Sequence, residues 1–135
     1  MTLYEKKFNS TFRTVAEIVD EVVALLKEVT QLDKSLSFRV GFMLREVLNN
    51  AVEHGNAFDE DKLIWLKVEK IKELLVFHVA DEGPGFSLMV LEEMPDDIDR
   101  VRNRGMLLVS EFGFNVSIVN KTVVVKLDLN EATNT

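Results

Sequence analysis

Three stretches hold residue types that could do chemistry. The first is Leu44–Asn56, which reads Leu-Arg-Glu-Val-Leu-Asn-Asn-Ala-Val-Glu-His-Gly-Asn. Glu46 and Asn50 are four residues apart, so on a helix they stand one above the other, and His54 continues the row. A carboxylate there can take a proton from an attacking hydroxyl or water. A carboxamide oxygen is a hard ligand suited to Mg²⁺. The second stretch is Asp81-Glu-Gly83-Pro-Gly85-Phe. Its carboxylate, at a strand end, can accept a hydrogen bond from an exocyclic amine such as that of adenine. Its glycines let the backbone turn and approach a flat ring. The third is Arg104-Gly105, where a helix start would offer amides and a positive dipole end to phosphates.

Each stretch alone has an ordinary explanation. Glu-x-x-x-Asn is usually a solvated helix face, Asp-Glu-Gly-Pro-Gly a turn, and His54 a partner for a helix C-terminus. Their order along one short chain favours a nucleotide site over those explanations. It is not a P-loop, because no Gly-x-x-x-x-Gly-Lys-Ser/Thr occurs, and no Gly-x-Gly-x-x-Gly marks a dinucleotide fold.

The elements that must position these residues can be read from periodicity. Leu3–Phe8 alternates weakly and suits a short edge strand. Thr14-Val-Ala-Glu17 has the spacing of a capping box. Val15, Ile18, Val19, Val22, Leu25, Leu26 and Val29 then recur at helical spacing, which predicts a half-buried helix over Arg13–Thr30. A second helix is predicted from about Ser35 to His54, with Val40, Leu44, Val47, Leu48 and Ala51 as its core stripe. Gly55 is placed to end it in the left-handed conformation. After a loop at Asn56–Lys62, Leu63–Glu69 and Glu73–Ala80 read as inner strands joined at Lys70–Lys72. His78 falls among core residues of the second and is expected to be structural.

The segment 87–103 has no clean period. It contains Met89, Met94 and an acidic cluster (Glu92, Glu93, Asp96, Asp97, Asp99), and it is expected to be a lid. Met106–Phe112 reads as a short apolar helix. Phe114–Val119 and Thr122–Leu129 read as strands of a hairpin turning at Asn120-Lys121. Residues 131–135 are expected to be a disordered polar tail. The order implies one α+β domain over residues 1–135: a two-layer α/β sandwich with a mostly antiparallel mixed sheet and its helices on one face.

Composition narrows the partners. The 135 residues carry 16 basic and 23 acidic side chains, a formal charge of −7, which argues against a nucleic-acid partner. There is no cysteine, which excludes disulfides and thiolate chemistry and suits a cytoplasmic location. No signal peptide is evident. No apolar run approaches the roughly 20 residues of a membrane span, so no membrane partner is expected.

In order and spacing the three stretches resemble the asparagine box and the two glycine boxes of the histidine-kinase-like ATPase (GHKL) superfamily, shared by gyrase, heat-shock chaperones and sensor kinases. The resemblance covers about Thr14 to Leu129. The pattern Glu46-x-x-x-Asn50-Ala51-x-x-His54-Gly55 is similar to that of the anti-sigma factor/serine-protein kinase branch. It implies ATP and Mg²⁺ as ligands, Glu46 as general base and Asn50 as magnesium ligand. It implies Asp81 as adenine reader and Gly83 and Gly85 as the ring-side turn. Arg104 and Gly105 would form the phosphate-side end of the lid, and Thr122 would lie beside adenine. Two departures stand out: Gly105-Met106-Leu107 replaces the common Gly-x-Gly, and Lys121 stands where glycine is usual before the threonine.

The resemblance implies a kinase that phosphorylates a serine or threonine of a STAS-type antagonist protein. It also suggests a sigma factor as a possible second partner and a homodimer as the assembly. The alternative is a nucleotide-binding partner-switch module without kinase activity. A catalytic fragment that phosphorylates histidine is a third reading, disfavoured because no phosphoacceptor helix precedes these boxes.

Overall fold

The computed structural model describes residues 1–83 and 104–133, with side chains through 83 and from 107 to 131. Strand β1 (Thr2–Asn9) is followed by helices α1 (Phe12–Thr30) and α2 (Lys34–Asn50), and α2 runs into a π-helical turn at Ala51–Gly55. Strands β2 (Leu63–Ile71) and β3 (Leu74–Asp81) come next. Helix α3 (Arg104–Glu111), strands β4 (Asn115–Val119) and β5 (Thr122–Asp128), and the short helix α4 (Leu129–Thr133) complete the described chain. The expected lid at 87–103 lies outside the described residues.

The sheet has the order β1-β2-β3-β5-β4. All four pairings are antiparallel, so among the described strands the sheet is not mixed. Both hairpins close through two-residue turns. Lys72 takes φ 57°, and Asn120 and Lys121 take 50° and 65°, the left-handed pair that matches strand twist.

One layer of core lies between the sheet and the two long helices. Val15, Ile18, Val19, Val22 and Leu26 face it from α1, and Val40, Leu44, Val47 and Leu48 from α2. Ile64, Leu66 and Val68 of β2 meet Leu75, Phe77 and Val79 of β3, and Val123, Val125 and Leu127 continue the surface on β5. These positions recur every second residue, as a sheet covered on one face requires. Val29, expected in the apolar stripe of α1, is half exposed because the helix runs past the core in its last turn.

Two local expectations are corrected, at the start of α1 and in the polar tail. The first helix is capped by Thr11, whose Oγ1 accepts the Thr14 amide at 3.1 Å. Thr14 instead donates its hydroxyl to Asn9 Oδ1 at 3.0 Å, so Thr14 and Glu17 form no capping box. Helix α2 is capped by Asp33, which accepts the Leu36 amide at 2.7 Å. The polar tail begins as α4, because Asp128 Oδ1 accepts the amides of Asn130 and Glu131 at 2.9 and 3.3 Å.

Candidate functional site

The site is built at the C-terminal end of α2. Its last turns carry Glu46, Asn49 and Asn50, and Glu53 follows in the π turn. A π turn widens the helix by one residue, and such turns concentrate at functional sites. Here the Asn56 amide reaches the Ala51 carbonyl at 2.8 Å. Glu46, Asn49, Asn50 and Glu53 line one open pocket of about 310 Å³, walled by Phe12 and Phe58.

Burial holds the Glu46 carboxyl above its ordinary range, as expected for a charge partly removed from water. That is the direction a general base near neutrality needs. Asn50 Nδ2 and Asn49 Oδ1 are buried without a hydrogen-bond partner among the described residues. An orphaned buried carboxamide atom costs on the order of 1–3 kcal/mol, which a ligand at this end of the helix would offset.

Mg²⁺ fits that donor set. A half-turn of the Asn50 carboxamide presents its oxygen in place of the nitrogen. One neutral oxygen ligand suits an ion that keeps several waters and shares phosphates. No group of three or more His, Asp or Glu among the described residues could form a protein-only cage.

Asp81 ends β3 opposite Ile64 of β2, on the helix-facing side of the sheet. Burial raises its carboxyl pKa, opposed by the Gly83 amide and by Lys62. Asp81 Oδ1 accepts the Gly83 amide at 2.8 Å. Gly55 lies directly against this carboxylate: a β-carbon at Gly55 would overlap it, and one at Gly83 would overlap the Gly55 carbonyl. Gly55 is therefore required by close approach. The left-handed conformation expected of it is absent, since Gly113 is the only described glycine with positive φ.

Asn56 is a residue the sequence reading passed over as the start of a loop. It is fully buried. Its Nδ2 donates to the Leu63 carbonyl at 3.1 Å, and its Oδ1 accepts the Glu82 amide at 2.9 Å. Glu82 in turn accepts the Leu63 amide. One carboxamide thus ties the end of the π turn to the start of β2 and the end of β3. The one signal was position: an asparagine directly after the glycine that stops a helix.

The loop beyond it is strained. Ala57 and Phe58 take φ 50° and 62°, a left-handed conformation that costs non-glycine residues about 1–2 kcal/mol each. The Phe58 amide donates to the Val52 carbonyl at 2.8 Å, which holds the strained turn closed.

The remaining expectations divide. Arg104 and Gly105 begin α3; Phe112, the residue just after this helix, meets the ring of Phe42 on α2 at 5.4 Å, and its carbonyl accepts from Arg39 Nη1 at 3.3 Å. Gly85 lies outside the described residues. Thr122 is not brought to Asp81. Register pairs Val79 with Val123 and Val119 with Thr122. Strand alternation therefore puts Thr122 on the opposite sheet face with Val124 and Lys126, while Val123 shares the face of Asp81. His78 also lies on that opposite face, where its Nε2 meets Glu69 Oε1 at 2.7 Å, outside the site as expected.

Comparison with known proteins bears on the family and the fold. Residues 8–129 match the model of the histidine kinase-like ATPase domain. No curated protein matches the chain. Among solved structures, the histidine kinase domain of the blue-light-activated histidine kinase from Erythrobacter litoralis EL346 is similar, at 14% identity and a TM-score of 0.56. That likeness covers 89% of this chain and 63% of the domain. A second structure of the same kinase gives 14% identity and a TM-score of 0.53, covering 91% of this chain and 42% of that one. The chain therefore spans less than two thirds of either neighbour, and at this identity the likeness is one of fold. No helix among the described residues is long and apolar enough to cross a membrane. With the family model covering nearly its whole length, the chain belongs to the histidine kinase-like ATPase family.

Proposed function

We propose that the protein binds Mg-ATP and transfers the γ-phosphoryl group to a serine or threonine hydroxyl of a STAS-type antagonist protein. The observation that carries this is Glu46, a half-buried carboxylate with a raised pKa that shares a pocket with the orphaned carboxamide of Asn50. In the transfer the acceptor oxygen bonds to the γ-phosphorus. The bond from that phosphorus to the bridging oxygen breaks, and ADP leaves with the electron pair. The hydroxyl proton passes to Glu46. Mg²⁺, held through Asn50, would supply charge neutralisation at the phosphates. Asp81, desolvated and fixed by the Gly83 amide, reads the adenine amine. Catalysis of this kind is mostly positioning and electrostatics.

The serine/threonine assignment rests on the resemblance of Glu46-x-x-x-Asn50-Ala51-x-x-His54-Gly55 to the anti-sigma branch. A homodimer in the cytoplasm, acting on a sigma factor as well as the antagonist, belongs to the same reading. A second reading, a partner switch without transfer, is favoured by Gly105-Met106-Leu107 in place of Gly-x-Gly. Incubation with Mg-[γ-³²P]ATP and a purified STAS-domain protein from the same genome separates the two. Label on a serine or threonine of that protein, lost in Glu46→Gln, supports transfer. Bound nucleotide with no label supports the switch.

A further inference from the structure

We propose that Asn49 is a positioning residue for the magnesium ion: its side-chain oxygen accepts a hydrogen bond from a water that the ion carries. This rests on the Mg-ATP reading of the pocket and adds to it a residue that the box pattern Glu46-x-x-x-Asn50 leaves as an unspecified position.

Glu46, Asn49 and Asn50 occupy positions i, i+3 and i+4 of α2 and so share one edge of it. With Glu53 they line one pocket. Three of the four polar groups have an account. Glu46 is placed as the base, Asn50 as the ligand of the ion, and Glu53 already has a partner. Asn49 has none. Its Oδ1 is shielded from water and accepts from no donor among the described residues, so an asparagine simply turned to solvent does not describe it. Asparagine is also a weak helix former, so this position carries two local costs, the residue type and the unmet acceptor.

The neighbours decide what meets that oxygen. Consecutive residues on a helix diverge by about 100°. The unmet Nδ2 of Asn50 therefore does not reach Asn49 Oδ1. The same divergence keeps the two carboxamides from taking adjacent places on one Mg²⁺, which holds its ligands at about 2.0–2.1 Å in a strict octahedron. A water between Asn49 and the ion spans the difference, and Mg²⁺ keeps several waters. The ion polarises such a water, which makes its hydrogen bond to Oδ1 charge-assisted and strong. Asn50 would then hold the ion, and Asn49 would orient its water shell.

Isothermal titration of the whole chain with Mg-ATP, and with ATP in EDTA, tests the role through the ratio of the two affinities. Asn49→Ala is expected to lower that ratio about tenfold, the loss of one charge-assisted hydrogen bond, with ATP binding in EDTA at its wild-type value. Alanine is the better helix former, so the variant without ligand should melt no lower than wild type. Asn49→Asp keeps an acceptor oxygen and gives up the amide donor, and it is expected to restore the ratio. In an Asn50→Ala background, Asn49→Ala should lower the ratio no further, because the two act on one ion. A ratio unmoved in Asn49→Ala overturns the proposal, including the case in which both affinities fall together. So does a ratio as low in Asn49→Asp as in Asn49→Ala, which would make Asn49 a donor to phosphate, or an additive drop in the double variant. If the wild-type chain binds no Mg-ATP, the nucleotide reading falls and this role with it; magnesium-dependent binding that Asn49→Ala leaves intact removes only the role of Asn49.

Discussion

At the scale of single residues the site is a set of groups held against their own preferences. Glu46 is the clearest case. Its pKa is raised by burial, so the folded protein favours the protonated form more than the unfolded chain does. The sign follows: the cost to stability is absent below the ordinary carboxylate range, grows as pH rises through it, and is complete above the raised value. Glu46→Gln is therefore expected to raise Tm at pH 7. It should leave Tm unchanged near pH 3 and abolish transfer while Mg-ATP still binds. Differential scanning calorimetry at the two pH values, with a transfer assay, checks all three. The wild-type transfer rate should fall on the acid side at a pH above the 4.5 of an ordinary glutamate.

Gly55 makes the complementary prediction. The Asp81 carboxylate occupies the space a β-carbon would need. Gly55→Ala must push Asp81 or the π turn aside, so ATP affinity should drop at least about tenfold, with a stability loss of about 1–3 kcal/mol from overpacking. Isothermal titration and urea unfolding measure the two effects separately.

At the scale of elements, α2, its π turn and the ends of β2 and β3 act as one unit through Asn56. Removing its carboxamide leaves the Glu82 amide and the Leu63 carbonyl short of a partner. Asn56→Ala should cost about 2–4 kcal/mol, one unsatisfied buried group at each end. The loss in binding should be selective. Affinity for ATP falls because Asp81 is no longer held, whereas Mg-tripolyphosphate, which lacks the base, binds as before. Equal losses for both ligands would mean that the clamp serves only the fold.

The elements also show what was legible in the sequence. Helices and strands were readable because their apolar residues recur at 3.6 or 2, and packing against a one-sided sheet enforces those periods. Val40, Leu44, Val47, Leu48 and Ala51 all prove buried. That Glu46 and Asn50 share one helix edge and that Asp81 ends a strand was legible from residue type and spacing. Three things were not. The choice between Thr11 and Thr14 as cap turns on backbone angles that two nearby threonines do not distinguish. The face of Thr122 depends on strand register, where one step reverses every side chain. The roles of Gly55 and Asn56 depend on contacts at the ends of β2 and β3, distant in sequence, which no local pattern reports.

At the scale of the whole molecule, stability and function draw on different layers. The central strands β2 and β3 are paired on both sides, while β1 and β4 are the sheet edges. Amides of β2 and β3 should exchange with solvent most slowly and those of β4 sooner, as measured by hydrogen exchange and mass spectrometry. Phe77, fully buried at the centre of β3, should cost about 3–5 kcal/mol when cut to alanine, a large share of the 5–15 kcal/mol typical of a domain. The site stands at one rim of this core, where burial is partial and carboxylates and carboxamides lie half desolvated. Rigidity comes from the sheet, and among the described residues two buried carboxamide atoms without a partner, on Asn49 and Asn50, lie at the end of α2.

The most direct test of the account is ATP binding by thermal shift, with and without magnesium, for the wild-type chain and Asn50→Ala. The account predicts that millimolar Mg-ATP raises the wild-type Tm by several degrees, that ATP with EDTA raises it much less, and that Asn50→Ala removes the magnesium-dependent part. No shift of the wild-type chain at millimolar Mg-ATP, or an equal magnesium-dependent shift in Asn50→Ala, would contradict it.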